Sequence, residues 1–126
     1  MDIKVISSPD APKALGPYSQ AIRAGDFIFC AGQAGIDPVS NRIVEGGIVP
    51  QTRQVFRNLD AVLKAAGSGL NRVVKVTVFL DDWKYFKEMN ETYAEFFTEN
   101  PPARSTVQGA RYPEGSLIAM EVIAAI

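Results

Sequence analysis

Hydrophobic and polar positions along the chain follow two periods, one of two residues and one of about 3.6 residues, which are typical of strands and helices respectively. Short apolar or alternating runs predict the strands, and Gly25 and Asp26 suit a tight hairpin turn between two of them. The predicted strands are residues 3–5, 19–24, 27–31, 42–44, 71–80, 103–108 and 117–126. Alternation within the strand 71–80 gives it one apolar face, formed by Val74, Val76, Val78 and Leu80.

Two longer segments have the helical period. Residues 50–66 repeat apolar side chains on one face, with Pro50 in the first turn and Gly67 after the last. Asp82 is a suitable N-cap for a second helix over residues 83–98. The apolar stripe of this second helix consists of Phe86, Met89, Tyr93, Phe96 and Phe97.

These elements predict an α+β architecture in which one sheet is covered on one face by both helices. The run 117–126 is almost continuously apolar, so we expect a strand that is buried on both faces. With no third layer in the chain, self-association is the simplest cover for the second face of the sheet. The length of 126 residues is that of a single domain, 1–126.

Composition restricts the chemistry. The chain has no histidine, and its single cysteine is Cys30. Together these exclude a Ser-His-Asp triad, a Cys-His dyad, a histidine-ligated metal and an intramolecular disulfide. The 13 basic and 14 acidic residues leave a net charge of −1 without a basic stripe, so we expect no nucleic-acid partner. The apolar runs are too short for a signal peptide or a membrane span, so we expect a cytoplasmic protein with no membrane partner.

Several residues break the local pattern. Glu121 lies inside the apolar last strand and is either a structural or edge carboxylate or a site residue. Arg104 follows two prolines and is either a surface arginine or a planar fork for a carboxylate or phosphate. Alternation places Thr106 on the same face as Arg104.

Three further residues also allow either a structural or a ligand-binding interpretation. Asn90 lies on the apolar side of its helix, either bonding a nearby loop or lining a pocket. Tyr18 stands on a stiff Gly-Pro turn, either packing on a loop or facing a ligand. Gly32 permits close backbone approach, although its Gly-x-x-Gly motif is common in turns. Taken together, the arginine fork, the lone glutamate, a small hydroxyl and the amide would frame a pocket for a small anionic ligand.

The order of the motifs is more specific than any one of them. The motifs are Gly16-Pro17-Tyr18-Ser19-Gln20-Ala21, Gly32-Gln33, Ala65-Ala66-Gly67, Asn90-Glu91-Thr92-Tyr93, Pro102-Ala103-Arg104-Ser105 and the last strand around Glu121. Over essentially its whole length the chain resembles the RidA (YjgF-type) family of reactive intermediate deaminases. The resemblance implies a chorismate-mutase-like fold with a mixed sheet, assembled as a homotrimeric barrel with pockets between neighbouring subunits.

The resemblance also implies an activity. Members hydrolyse 2-imino acids such as 2-iminobutanoate and 2-iminopropanoate, or their enamine tautomers, to 2-keto acids and ammonia. This clears intermediates that damage PLP enzymes, and no metal or organic cofactor is implied.

Residue by residue, the resemblance gives each candidate a role. Arg104 matches the arginine that binds the substrate carboxylate, and Glu121 matches the carboxylate that orders the attacking water. Tyr18, Gly32 and Asn90 match pocket-lining positions. Thr106 stands where many members have cysteine, so thiol chemistry is excluded at that position.

Two other function classes remain open at this stage. The same pocket could sense a keto acid without turnover, because a fold does not fix a function. An RNA-cleaving translation inhibitor is a further alternative, which the acidic charge balance disfavours.

Overall fold

The computed structural model describes residues 1–109 and 113–126. Within these ranges it has two α-helices, α1 (Ile48–Ala65) and α2 (Phe86–Tyr93). The strands of the same ranges are β1 (Ile3–Ile6), β2 (Ala21–Ala24), β3 (Phe27–Cys30), β4 (Gln33–Ala34), β5 (Ile36–Asp37), β6 (Arg42–Ile43), β7 (Val73–Leu80), β8 (Ala103–Gln108) and β9 (Ile118–Ala125).

The main sheet is mixed, as predicted. Its strand order is β1-β2-β3-β9-β7-β8, and the short β4 also pairs with β9. Strands β7 and β8 are parallel, while the remaining pairs are antiparallel. The connection between the parallel strands contains α2, as such a crossover requires. Strand β8 therefore forms one edge of this sheet, and β5 and β6 form a separate two-stranded ribbon.

Helix α1 supplies most of the helical side of the core. Its apolar stripe is fully buried, and the side chains concerned are Val55, Phe56, Leu59, Val62 and Leu63. The helix begins at Ile48, two positions before the predicted start, and Gly67 follows its end with φ +81°. Among the described residues, no helix has the length and apolarity needed to cross a membrane.

The second helix is shorter than predicted. Residues 83–85 form a 3-10 turn, which Asp82 caps by accepting a hydrogen bond from Lys84 N at 2.8 Å. From Glu95 the backbone hydrogen bonds tighten to the i−3 pattern, and the chain turns away. This turn lets Phe96 stack on Phe56 at 4.2 Å between ring centroids, which is a tertiary contact that the local period does not encode.

The predicted apolar face of β7 is wrong at one position. A register shift between Val73 and Lys75 marks a β-bulge opposite β9. The extra residue turns Val74 outward, where 44% of it is exposed, and Val73 takes the buried place.

The expectation that the last strand is buried on both faces is also wrong within one chain. The even-numbered residues of β9 face the helices and are buried, and they are Ile118, Met120, Val122 and Ala124. The odd-numbered positions face the other side of the sheet, which we call the open face. There Glu121 is exposed, and the neighbouring Phe27 and Phe29 of β3 are 45% and 46% exposed. Both helices lie on the other side, so much of the open face is exposed in a single chain, although Ala119 is only 4% exposed.

Candidate active site

Arg104 projects from the edge strand β8 toward helix α2. It pairs in register with Val76, whose side chain is fully buried on the helical side of the sheet. Its guanidinium carbon lies 4.7 Å from the ring centroid of Tyr93 and 5.7 Å from that of Phe86. Both distances are within the range of cation–π attraction. Helix α2 therefore holds the arginine head through two aromatic rings.

The guanidinium N–H donors of this arginine have no partner among the described residues. Within residues 1–109 and 113–126, its side chain forms no hydrogen bond and no ion pair. A guanidinium has five N–H donors in a planar fork that matches a carboxylate. The half-buried Arg104 is therefore available to bind an anion.

Three further polar atoms nearby lack partners. Asn90 Oδ1, the Tyr93 hydroxyl and Thr106 Oγ1 are buried without a hydrogen-bond partner in the part of the chain that the structure describes. Asn90 and Tyr93 lie three residues apart on one face of α2, and Thr106 shares a face of β8 with Arg104. Each unsatisfied buried group costs about 1–3 kcal/mol. Several such atoms around one unpaired arginine are typical of a ligand site.

Burial reinforces the neutral state of the tyrosine in this group. Desolvation raises the pKa of Tyr93, and the positive charge of Arg104 opposes this shift more weakly. The phenol therefore stays neutral at pH 7 and keeps its proton. We call the set Asn90, Tyr93, Arg104 and Thr106 the arginine half-site.

The remaining predicted residues form a second group elsewhere. Tyr18, Gly32 and Glu121 line an open cavity of about 620 Å³, together with Lys13. We call this set the glutamate half-site.

Local hydrogen bonds shape the loop that carries Tyr18. The Tyr18 backbone N–H donates to Gly16 O at 2.8 Å, and its hydroxyl accepts from Leu15 N at 3.2 Å. The ring itself is 52% exposed. A stiff turn therefore presents an aromatic surface to the cavity.

A buried amide fixes the loop that precedes this turn. Gln20 Oε1 accepts from Ser8 N at 2.6 Å, and its Nε2 donates to Pro12 O at 2.8 Å and to Ser8 O at 3.2 Å. Gln20 also lines the same cavity. The sequence reasoning missed this role, although a glutamine directly before an apolar strand was the available signal.

The two half-sites lie on opposite faces of the sheet. Arg104 is in register with Val76, and Glu121 is in register with Thr77. Successive residues of a strand point to opposite faces, so the arginine faces the helices and the glutamate faces the open side. One chain brings Asn90, Arg104 and Thr106 together, but it does not bring them to Glu121.

The aromatic contacts of Arg104 are the other feature that sequence reasoning missed. It assigned Phe86 and Tyr93 to the apolar stripe of the helix, and the structure adds that their rings hold Arg104. A usable signal was present, because a tyrosine hydroxyl in a buried stripe needs a partner. The single cysteine, Cys30, is buried, and desolvation raises its pKa to about 12.

Comparison with known proteins places this geometry in a family. The family model described as Endoribonuclease L-PSP matches residues 8–126. A RutC family protein of Pyrococcus horikoshii is 54% identical over 121 residues, which cover 96% of each chain. The 2-iminobutanoate/2-iminopropanoate deaminase of Mus musculus is 46% identical over 96% of this chain and 90% of its own.

A solved structure agrees with these sequence matches. The crystal structure of RidA from the Antarctic bacterium Psychrobacter superposes with a TM-score of 0.93 at 40% identity, covering 98% of this chain and 99% of that one. The fold of this chain and the motifs of both half-sites therefore identify it as a member of the RidA (YjgF) family, which the L-PSP model describes.

Proposed function

We propose that the protein hydrolyses reactive 2-imino acids to 2-keto acids and ammonia, in a pocket built from two neighbouring copies of the chain. The observation that supports this most is the arginine half-site, in which Arg104 has no anionic partner among the described residues and unsatisfied polar atoms surround it. The mouse relative at 46% identity is named for the same reaction.

The arginine half-site is suited to one end of such a substrate. Arg104 binds the carboxylate through two N–H donors, and each charge-assisted bond contributes about 1.5–3 kcal/mol. The orphan Asn90 Oδ1 accepts a hydrogen bond from the iminium nitrogen. Thr106 Oγ1 contributes a hydroxyl at the same wall. These contacts fix the imine carbon for attack.

The chemistry needs a water molecule and a proton relay. Water adds to the carbon of the protonated C=N bond and forms a carbinolamine. The proton given up by the attacking water then passes to the amino nitrogen, the C–N bond breaks and ammonia leaves, and the hydroxyl loses its proton to become the keto group. The Glu121 carboxylate of the adjoining copy orders the water and takes up its proton.

Assembly explains why the two half-sites occur in one sequence. Arg104 and Glu121 point to opposite faces of the sheet, so a contact between them needs a second copy. The open face exposes Phe27 and Phe29 beside Glu121, which favours its burial against a neighbour. A ring of three copies, each using two different surfaces, closes without leaving an unpaired face.

The experiment follows the escape of the imine from a scavenger. Threonine dehydratase generates 2-iminobutanoate in the presence of semicarbazide, and the protein competes with semicarbazide for the imine. We expect Arg104→Ala to lower kcat/KM by more than about 100-fold, because both carboxylate bonds are lost. Arg104→Lys keeps the charge but loses the planar fork, so we expect its activity to lie between those of the wild type and Arg104→Ala.

Arg42→Ala is the matched control, since Arg42 is an exposed arginine of β6 outside both half-sites. Full activity of both Arg104 variants would disprove the anchoring role. Saturable binding of 2-ketobutyrate with no suppression of capture would instead establish the sensing alternative.

The ribonuclease description of the family has less support from this site. RNA backbones are bound by several cations acting together. The described cations of the site are Arg104 in one half-site and Lys13 in the other, and the net charge of the chain is −1. We expect no RNA cleavage at physiological salt.

A further inference from the structure

The head of Arg104 is held by aromatic rings rather than by an acid. Its guanidinium carbon lies over Tyr93 at 4.7 Å and over Phe86 at 5.7 Å. A binding-site arginine is commonly fixed by a protein carboxylate, which would occupy part of its fork. A cation–π contact instead draws on the ring electrons and leaves the fork available for a ligand.

Both rings are themselves fixed by packing. Trp83 stacks on Phe86 with a centroid distance of 4.4 Å and an interplanar angle of 15°. Tyr93 is only 6% exposed and contacts Phe56 edge-on at 5.5 Å and Phe97 at 5.0 Å. The arginine thus lies against a preorganised aromatic surface that connects to the core under α1.

Preorganisation matters because a free arginine side chain loses rotamer freedom when it binds a ligand. A surface that already orients the guanidinium reduces this loss. Tyr93 contributes the closer of the two ring contacts, and α2 carries it on the same face as Asn90.

We propose that the Tyr93 ring is a positioning residue, which holds the Arg104 fork in the orientation that binds the substrate carboxylate. This inference rests on the proposed function for the identity of the anion. The ring acts on Arg104, and the Tyr93 hydroxyl is not required for this role.

Three variants separate positioning from stability. Tyr93→Leu removes the ring, and we expect KM for 2-iminobutanoate to rise about tenfold with kcat nearly unchanged. Tyr93→Phe keeps the ring and removes only a hydroxyl of the arginine half-site, so we expect a smaller rise in KM than in Tyr93→Leu. Phe96→Leu is the control, because Phe96 stacks on Phe56 at 4.2 Å in the same aromatic cluster without a contact to Arg104. It lowers the Tm as Tyr93→Leu does, but it leaves KM unchanged.

A spectroscopic readout tests the contact without any activity. A proton above a ring face resonates upfield, so we expect the Arg104 Nε–H NMR signal of the assembled protein to be shifted upfield and to return toward its ordinary position in Tyr93→Leu. Absence of this shift in the wild-type protein would overturn the contact.

Failure of the proposed function and failure of the Tyr93 inference give different results. If the wild-type protein neither deaminates the imine nor binds 2-ketobutyrate, the proposed function fails. If the wild-type protein is active, a wild-type KM in Tyr93→Leu overturns the inference, and so does an equal rise in KM in Phe96→Leu.

Discussion

At the scale of single residues, the hydroxyl of Thr106 is a part of the arginine half-site that one substitution can test. Its Oγ1 is buried on the face of β8 that carries Arg104, and it has no partner among the described residues. Thr106→Val replaces the hydroxyl by a methyl group of similar size. We expect kcat/KM to fall about tenfold, since one ligand hydrogen bond is lost. The Tm does not fall, because the variant also removes an unsatisfied polar atom.

Thr106→Ser is the matched control, since it keeps the hydroxyl and removes only the methyl group. The imine capture assay and a thermal melt measure both effects. A fully active Thr106→Val would show that the hydroxyl does not contact the substrate.

Residue chemistry was the more predictable part of the site. Asn90 places an amide on the apolar side of its helix, and such a break is visible in the sequence. Arg104 and Thr106 lie in a mostly polar strand, where alternation puts them on one face. The exposure of Glu121 was not predictable in this way. An apolar strand predicts burial, but its sequence does not show whether the same chain supplies the layer that covers each face. The open face lacks that layer within one chain, so the carboxylate is exposed.

At the scale of secondary-structure elements, the close packing of α1 depends on Gly35. A Cβ at Gly35 would lie 2.9 Å from Gln51 Cα and 3.0 Å from Gln51 O, both of which are backbone atoms of α1. We expect Gly35→Ala to lower the free energy of unfolding by about 2–3 kcal/mol, because the helix must move away.

Gly109→Ala is the control for that substitution, since its nearest neighbour would be Phe79 Cδ1 at 3.9 Å. Urea titration compares the two variants, and the control stays within about 0.5 kcal/mol of wild type. Equal losses in both would contradict a close packing of α1 at Gly35.

The ion pair between Arg53 of α1 and Glu95 after α2 gives stability a pH dependence. Arg53 donates to both carboxylate oxygens, at 3.1 and 2.8 Å, and this bonding lowers the pKa of Glu95. A lowered folded-state pKa gives stability that is present above the unfolded pKa and is lost as pH falls through the folded value. Both side chains are exposed, so the effect is small and salt-sensitive.

Glu95→Gln tests this pair. We expect the Tm of the variant to lie slightly below that of wild type at pH 7 and to equal it at an acidic pH below the folded-state pKa of Glu95, where the carboxylate is protonated. Thermal melts at both pH values measure the difference. A Tm difference that is unchanged at acidic pH would mean that the pair contributes nothing through its charge.

Element prediction succeeded where local period and packing agree. The stripe of α1 is amphipathic along its whole length, so its existence and face were predictable from its residues. The early end of α2 and the outward Val74 were not, because each depends on a partner distant in sequence. Phe56 draws Phe96 inward, and the register of β9 creates the bulge at Val74.

The whole molecule presents two half-sites that cannot meet within one chain. The sequence pointed to candidate residues in both groups, but not to Tyr93 or Lys13. Alternation along separate strands also gave no relation between the faces of the two groups. Only the pairing of both β8 and β9 with β7 puts Arg104 and Glu121 on opposite sides. The central claim is therefore that neighbouring copies complete one pocket.

Complementation between two inactive variants tests that claim most directly. Arg104→Ala and Glu121→Ala are each purified, unfolded together in equal amounts and refolded, and the imine capture assay follows the mixture. If each pocket takes Arg104 from one copy and Glu121 from the next, random assembly restores both residues in about a quarter of the pockets. We predict that the mixture regains about a quarter of the wild-type activity while each variant alone stays inactive. A mixture no more active than its components, or full activity of either single variant, would contradict the account.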